Sequence, residues 1–139
     1  LSITHPLGFK DKLIIDSKIR SHFIIGNHFQ SYQAAQIGGD NGLRGFRRER
    51  FTGKNSFTQN TNLRFTIDQV NTAILPMTYG ISLGYDYGRV WLPTEDSDTW
   101  HTSYGTTLWM SFVGATKANF SLFNSTDGLQ FTFGVGLSI

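Results

Sequence analysis

The final segment of the chain constrains its fold more than any other stretch. Leu129, Phe131, Phe133, Val135, Leu137 and Ile139 alternate with Gln130, Thr132, Gly134, Gly136 and Ser138. The first set has no polar residue and the second has no large apolar one. A two-residue period of this kind describes a strand with one apolar face, and it cannot be wound into a helix without scattering the apolar set.

The same alternation recurs along the sequence. Leu13 to Ile25 sets Leu13, Ile15, Ile19 and Phe23 against Asp16, Lys18, Arg20 and His22. Ser56 to Val70 sets Phe57, Leu63, Phe65 and Ile67 against Thr58, Asn60, Asn62, Arg64, Thr66 and Asp68. In Met77 to Leu92, large residues alternate with Gly80, Ser82, Gly84, Asp86 and Gly88, so Asp86 stands on a face nearly bare of bulk. Trp100 to Phe112 repeats the pattern, with Trp109 interrupting its polar side, and Ala118 to Asn124 reads as a brief strand through Phe120 and Leu122. Pro6-Leu7-Gly8 marks a turn, so Leu1 to Lys12 reads as the tail of one strand and a tight connection. With 15 glycines, 14% aromatic and only 16% charged residues, the chain is expected to be all-β.

Between the first two long strands lies an irregular segment, 27–55, which contains Gly38-Gly39-Asp40-Asn41-Gly42-Leu43-Arg44-Gly45-Phe46. Loops of this length in compact domains are generally functional or disordered, and the aromatics Phe29, Tyr32, Phe46 and Phe51 argue against disorder. Glycines around a single Arg describe a shaped loop carrying one fixed charge. Arg44, Arg47, Arg48, Arg50 and Lys54 also cluster here, but no nucleic-acid-binding signature accompanies them, and a nucleic-acid partner is not expected.

Several chemistries find no support. There is no cysteine, and His5, His22, His28 and His101 show no metal-ligand spacing, so neither a metal nor another cofactor is expected. His101 and Ser103 share a strand face without an identifiable third partner, and the carboxylates Glu95, Asp96 and Asp98 sit in an acidic loop that lacks the Gly and terminal Glu of a calcium site. No catalytic set is expected within 1–139. The chain has no run of 18 apolar residues, which excludes a membrane-spanning helix but not a membrane barrel. It begins without Met or a signal peptide and reads as a mature or excised piece. Longer connections at one strand end (27–55, 93–99, 124–128), shorter ones at the other (71–76, 113–117), and Trp91 and Trp100 as girdle residues fit an outer-membrane barrel.

Three motifs carry a family resemblance. Leu43-Arg44-Gly45-Phe46 resembles the lumen-loop motif of the BamA/TamA/FhaC superfamily, the bacterial surface antigen family. Gly84-Tyr85-Asp86-Tyr87-Gly88-Arg89-Val90-Trp91 is similar to its strand motif, with Asp86, Gly84 and Gly88 as the matching positions. Thr132, Gly134, Leu137 and Ile139 resemble its C-terminal β-signal. Arg50-Phe51-Thr52-Gly53-Lys54 and Trp100-His101-Thr102-Ser103-Tyr104-Gly105 are similar to members fused behind a metallophosphoesterase domain.

The resemblance implies that 1–139 is a single C-terminal part of an antiparallel transmembrane β-barrel, about six strands of a larger barrel of about sixteen, with the long loop in its lumen. It implies a bacterial outer-membrane location and a part in assembly, insertion or translocation of proteins there. The implied partners are outer-membrane lipid, client outer-membrane or secreted proteins, and the rest of the barrel with its N-terminal domains. It also implies a contact between Arg44 and Asp86. Two other functions stay open: a barrel anchoring an N-terminal metallophosphoesterase-like domain without insertase activity, any enzyme then lying N-terminal to this chain, and a small soluble ligand-binding β-barrel. Against the family pattern, Asn62 and Arg64 stand where an acidic residue is expected, and Ile139 where an aromatic one is usual.

Overall fold

The structure is a computed structural model, and it describes residues 1–8, 12–24, 34–39, 41–71, 76–91, 99–112 and 116–137. The alternating segments form a seven-stranded sheet. Its strands are β1 (Ser2–Gly8), β2 (Leu13–His22), β5 (Asn55–Val70), β6 (Met77–Trp91), β7 (His101–Phe112), β8 (Thr116–Ser125) and β9 (Gly128–Leu137), hydrogen-bonded in that order. All pairings are antiparallel. A second, two-stranded sheet is made by β3 (Ala35–Ile37) and β4 (Phe51–Gly53), inserted in sequence between β2 and β5. Pro6, which cannot donate a ladder hydrogen bond, is accommodated because β1 is an edge strand.

The two faces of the large sheet are occupied in the reverse of the usual order. On β6 the small and polar set Gly80, Ser82, Gly84, Asp86 and Gly88 is buried, together with Val90, while Ile81, Leu83 and Tyr85 are exposed. What covers the small-residue face is the segment between β2 and β5. Ile37, Leu43 and Phe46 from that segment cluster with Val90 of β6, and Phe51 packs against them. Each such apolar side chain, once fully buried, contributes about 2 kcal/mol. The core of the described structure therefore lies between a loop and a glycine-rich sheet face.

The opposite face is a continuous apolar surface. Leu13, Phe65, Ile81, Leu108, Phe120 and Phe133 stand directly opposite one another on successive strands from β2 to β9. Ile15, Leu63, Leu83, Thr106, Leu122 and Phe131 form the adjoining row. Toward one end, Trp100 meets Tyr87, Phe57 and Trp91 at ring-centroid distances of 5.6, 6.0 and 6.3 Å.

The all-β class stands, but the transmembrane barrel expected from the alternation does not. β1 and β9 lie at opposite edges of the sheet and do not pair, so the described strands form an open sheet instead of a barrel wall closed on itself. The main sheet has seven strands and not six, since the opening segment forms a strand of its own, Ser2–Gly8, paired with β2. The reason for the misreading is physical. Alternation reports that a strand's two faces differ, and a glycine-rich face covered by an inserted loop produces the same pattern as a wall around a lumen.

Gly105 of β7 illustrates how closely the covered face is packed. A Cβ there would lie 2.6 Å from Cγ of Phe123, which is 2% exposed. Gly105→Val is expected to lower stability by about 2 kcal/mol through overpacking. A urea titration followed by circular dichroism should show the midpoint falling, and an unchanged midpoint would mean that Phe123 is not fixed at this site.

Candidate functional site

The segment covering the sheet is shaped by two tight turns. Leu43 and Asn41 both donate backbone N–H groups to the carbonyl of Gly38, at 2.9 and 3.0 Å, and Phe46 donates to Leu43 at 3.3 Å. Gly42 and Gly45 take φ values of 101° and 94°, which a residue with a Cβ adopts only under strain. Space also requires glycine at both: a Cβ at Gly42 would meet Oγ1 of Thr58 at 2.7 Å, and one at Gly45 would meet Phe123 and Ser103 at 3.1 Å. Arg44 is thus held between two glycines and presented to the face of β6.

Its partner there is Asp86, which is fully buried. The carboxylate accepts three hydrogen bonds from this one residue: from the backbone N–H of Arg44 at 3.0 Å, from Nε at 2.9 Å and from Nη2 at 2.6 Å. The fork geometry of guanidinium on carboxylate is the strong, charge-assisted kind. The guanidinium also lies 4.3 Å from the ring centroid of Phe123. Gly84 leaves room for both, because a Cβ there would stand 2.6 Å from the Phe123 ring and 2.9 Å from Nη2 of Arg44. Asn60 donates to the carbonyl of Gly42 at 2.8 Å, and Ser125 donates to the carbonyl of Gly45, so β5, β6 and β8 together fix the loop.

A second anchor sits further along. Phe51 stacks on His101 at 3.6 Å, Phe46 meets Phe51 edge-on at 5.2 Å, and Arg50 pairs with Asp127 at 3.0 Å. Half of the Arg50 side chain is in solvent, which leaves that ion pair worth little. Burial, followed by the charge of Arg50, holds the His101 pKa below its ordinary value, with Asp127 acting in the opposite direction. A depressed histidine pKa means that the unfolded chain binds the proton more tightly. Stability from this site is therefore full above about pH 6.5 and is lost as pH falls from there toward the folded-state pKa. His101→Phe should flatten the dependence of the unfolding midpoint between about pH 7 and pH 5, and a profile identical to that of the parent would exclude His101 as its source.

The remaining candidate residues are placed as follows. Gly88 lies beneath Leu43, whose Cδ2 would be 3.3 Å from a Cβ at that position. Thr132, Gly134 and Leu137 belong to β9, where Gly134 faces Asn119 of β8. Ile139, Asp40, the acidic loop 93–98 and the part of the long segment spanning 27–33 lie outside the described residues. Ser103 is fully buried beside Gly45, and the half-buried His101 stacks on Phe51. Two large residues of the covered face depart from the strand patterns, Trp109 visibly and Phe123 unread. Phe123 projects to the side opposite Phe120 and Leu122, and the signal for it was the glycine at 105, directly across the ladder. Trp109 carries the guanidinium of Arg64 at 3.8 Å over its ring, beside the space left by Gly80.

Compared with protein-family models, curated proteins and solved structures, the chain matches none. Membership of the BamA/TamA/FhaC superfamily is accordingly corrected: three short motifs in order do not amount to a family match, and the open sheet does not supply the closed barrel they implied. The assembly, insertion and translocation function, the anchoring-barrel alternative and the soluble-barrel alternative all required a closed barrel and fall with it. So do the outer-membrane location and the partnerships with outer-membrane lipid, client proteins and the rest of a larger barrel. No helix among the described residues is long and apolar enough to cross a membrane.

The geometry of the latch sets an asymmetry that can be measured. Arg44→Ala strands a carboxylate with no solvent access, whereas Asp86→Ala strands a guanidinium that is 29% exposed. Arg44→Ala should cost about 3 kcal/mol and Asp86→Ala less. The double variant Arg44→Asp with Asp86→Arg should not recover the loss, because the backbone N–H of Arg44 also serves the Asp86 carboxylate and cannot be exchanged. Full recovery in chemical denaturation would show that only the side-chain charges matter.

Proposed function

We propose that this domain is a non-enzymatic interaction module that works by docking its bare sheet face against a second apolar sheet face, supplied by another copy of the chain. The observation that carries the reading is the uncharged double row running from β2 to β9. Leu83 is 58% exposed, and Phe131 66%. Six strands at their normal spacing span roughly 24 Å, and the apolar positions extend about 20 Å along them, giving a patch on the order of 500 Å². Patches of this size on a folded chain mark interaction surfaces.

A second copy suits the face for a stated reason. Two surfaces without charge meet without like-charge repulsion or stranded ions, and a two-fold arrangement presents the same rows to each other. Sheets so stacked lie about 10 Å apart with interdigitated side chains. The absence of catalysis belongs to the same proposal. Asp86 is consumed by Arg44, Ser103 is sealed beneath the loop, and the described residues contain no group of three His, Asp or Glu able to hold a metal.

Sedimentation of the chain across a concentration series tests this. The parent should associate, and Leu83→Asp combined with Phe131→Asp should shift it to monomer while leaving the circular dichroism spectrum unchanged. A parent that stays monomeric at about 100 µM, well above the micromolar constants of ordinary specific interfaces, would overturn the proposal.

A further inference from the structure

The covered face holds a cleft that neither the latch nor the docking face uses. It has a volume of about 620 Å³ and lies beside the latch, bounded by residues of β1, β2, β5, β6, β7, β8 and β9. This is within the range of small-molecule sites. Its polar groups are unevenly satisfied. The indole Nε1 of Trp109 and the Oδ1 of Asn62 are buried without a hydrogen-bond partner. Both residues line the cleft, while these two atoms are themselves closed off from it.

The sign of the cleft follows from its charged lining: Asp16, Arg44, Arg64 and Lys117. Arg44 is neutralised by Asp86, which leaves Arg64 and Lys117 against Asp16 and a positive balance. Among the described residues Arg64 forms no ion pair. It is held in place by the Trp109 ring 3.8 Å away, which fixes its plane while leaving its N–H groups available. Burial lowers the Arg64 pKa, opposed by Asp16, the direction expected of a cation that lacks a close counter-ion.

We infer that this cleft binds a small anionic polyol, its phosphate or carboxylate on Arg64 and Lys117, with its hydroxyls on the hydroxyl-bearing side chains of the lining. Each demand of the site is met by a different part of such a molecule. The two cations need an anion, and the uncharged polar lining needs a body that both donates and accepts hydrogen bonds. Thr107, Ser121 and Thr132, also in the lining, add hydroxyls suited to the same ligand.

The test is a titration of the full chain with glucose 6-phosphate, glucuronate, inorganic phosphate and glucose, read by calorimetry and by quenching of Trp109 fluorescence against a Trp109→Phe control. Saturable binding of glucose 6-phosphate or glucuronate is expected, the stronger of the two identifying phosphate or carboxylate as the anion. Binding should be weaker for inorganic phosphate and weakest for glucose. Arg64→Gln should weaken binding of the anionic sugar by about tenfold or more, the scale of a lost charge-assisted hydrogen bond. Lys117→Gln, at an exposed position, should weaken it severalfold and serves if the Arg64 variant does not fold. No saturable binding of either anionic sugar, equal binding of glucose, or affinities unmoved in the folded variants would overturn the inference.

Discussion

A carboxylate with no access to solvent governs this structure. Burying Asp86 alone would cost several kcal/mol, and no neighbouring strand supplies a cation to offset it. The compensation comes from outside the sheet. Arg44 arrives on a loop and gives Asp86 both a bidentate fork and a backbone N–H. That single requirement explains the composition around it. The loop must turn sharply on each side of Arg44, which calls for glycine at 42 and 45, and the sheet must be thin enough beneath to admit it, which calls for glycine at 84 and 88. Once there, the loop brings Leu43 and Phe46 with it, and these make the apolar cluster with Ile37 and Val90. Polar attachment and hydrophobic burial are therefore one event. The interaction fixes the position of the loop, and the cluster supplies much of the free energy that keeps it there.

The other face has no such cover within the described chain. In a two-layer domain the large apolar residues of a sheet face inward, and here the small ones do. A row such as Leu13, Phe65, Ile81, Leu108, Phe120 and Phe133 gains little from lateral contact with its neighbours compared with what full burial would bring. The sheet is thus only half compensated as an isolated unit. The loop supports one side, and the unrealised burial on the other side is the driving force available for association.

How much of this was legible beforehand depends on which physical signal each feature left. The strands were readable because a period of two over ten or more residues, as in β5, β6 and β9, has few alternative explanations. Asp86 stood out because its neighbours on the same face were glycines and a serine. What alternation could not supply was the identity of the cover. A water-filled lumen, a partner and a folded-back loop all leave small polar residues on one face, and the choice among them is made by contacts between residues as distant in sequence as Gly45 and Ser125. Closure is similarly invisible, since nothing in a strand's own pattern says whether β1 will find β9. Phe123 went unread, and Trp109 was visible only as an unexplained break in a polar face, for a simpler reason. Each is a large apolar residue on the polar side of its strand, and only the glycine across the ladder, at 105 and 80, explains how it fits.

The covered face holds two arginines in closely related settings, and comparing them clarifies what the cleft is for. Arg44 lies over Phe123 and Arg64 over Trp109, so each guanidinium sits above a ring. Stacking of this kind fixes the plane of the cation but leaves its in-plane donors unspent. For Arg44 those donors are spent on Asp86, and the result is a latch. For Arg64 no carboxylate is placed in the plane, and the nearest acidic influence, Asp16, acts through space. A chain selected only for a stable covered face would gain by repeating the first arrangement or by replacing Arg64 with an apolar residue of similar volume. Keeping a cation there without a close counter-ion costs stability, and a ligand of complementary charge in the cleft would offset that cost.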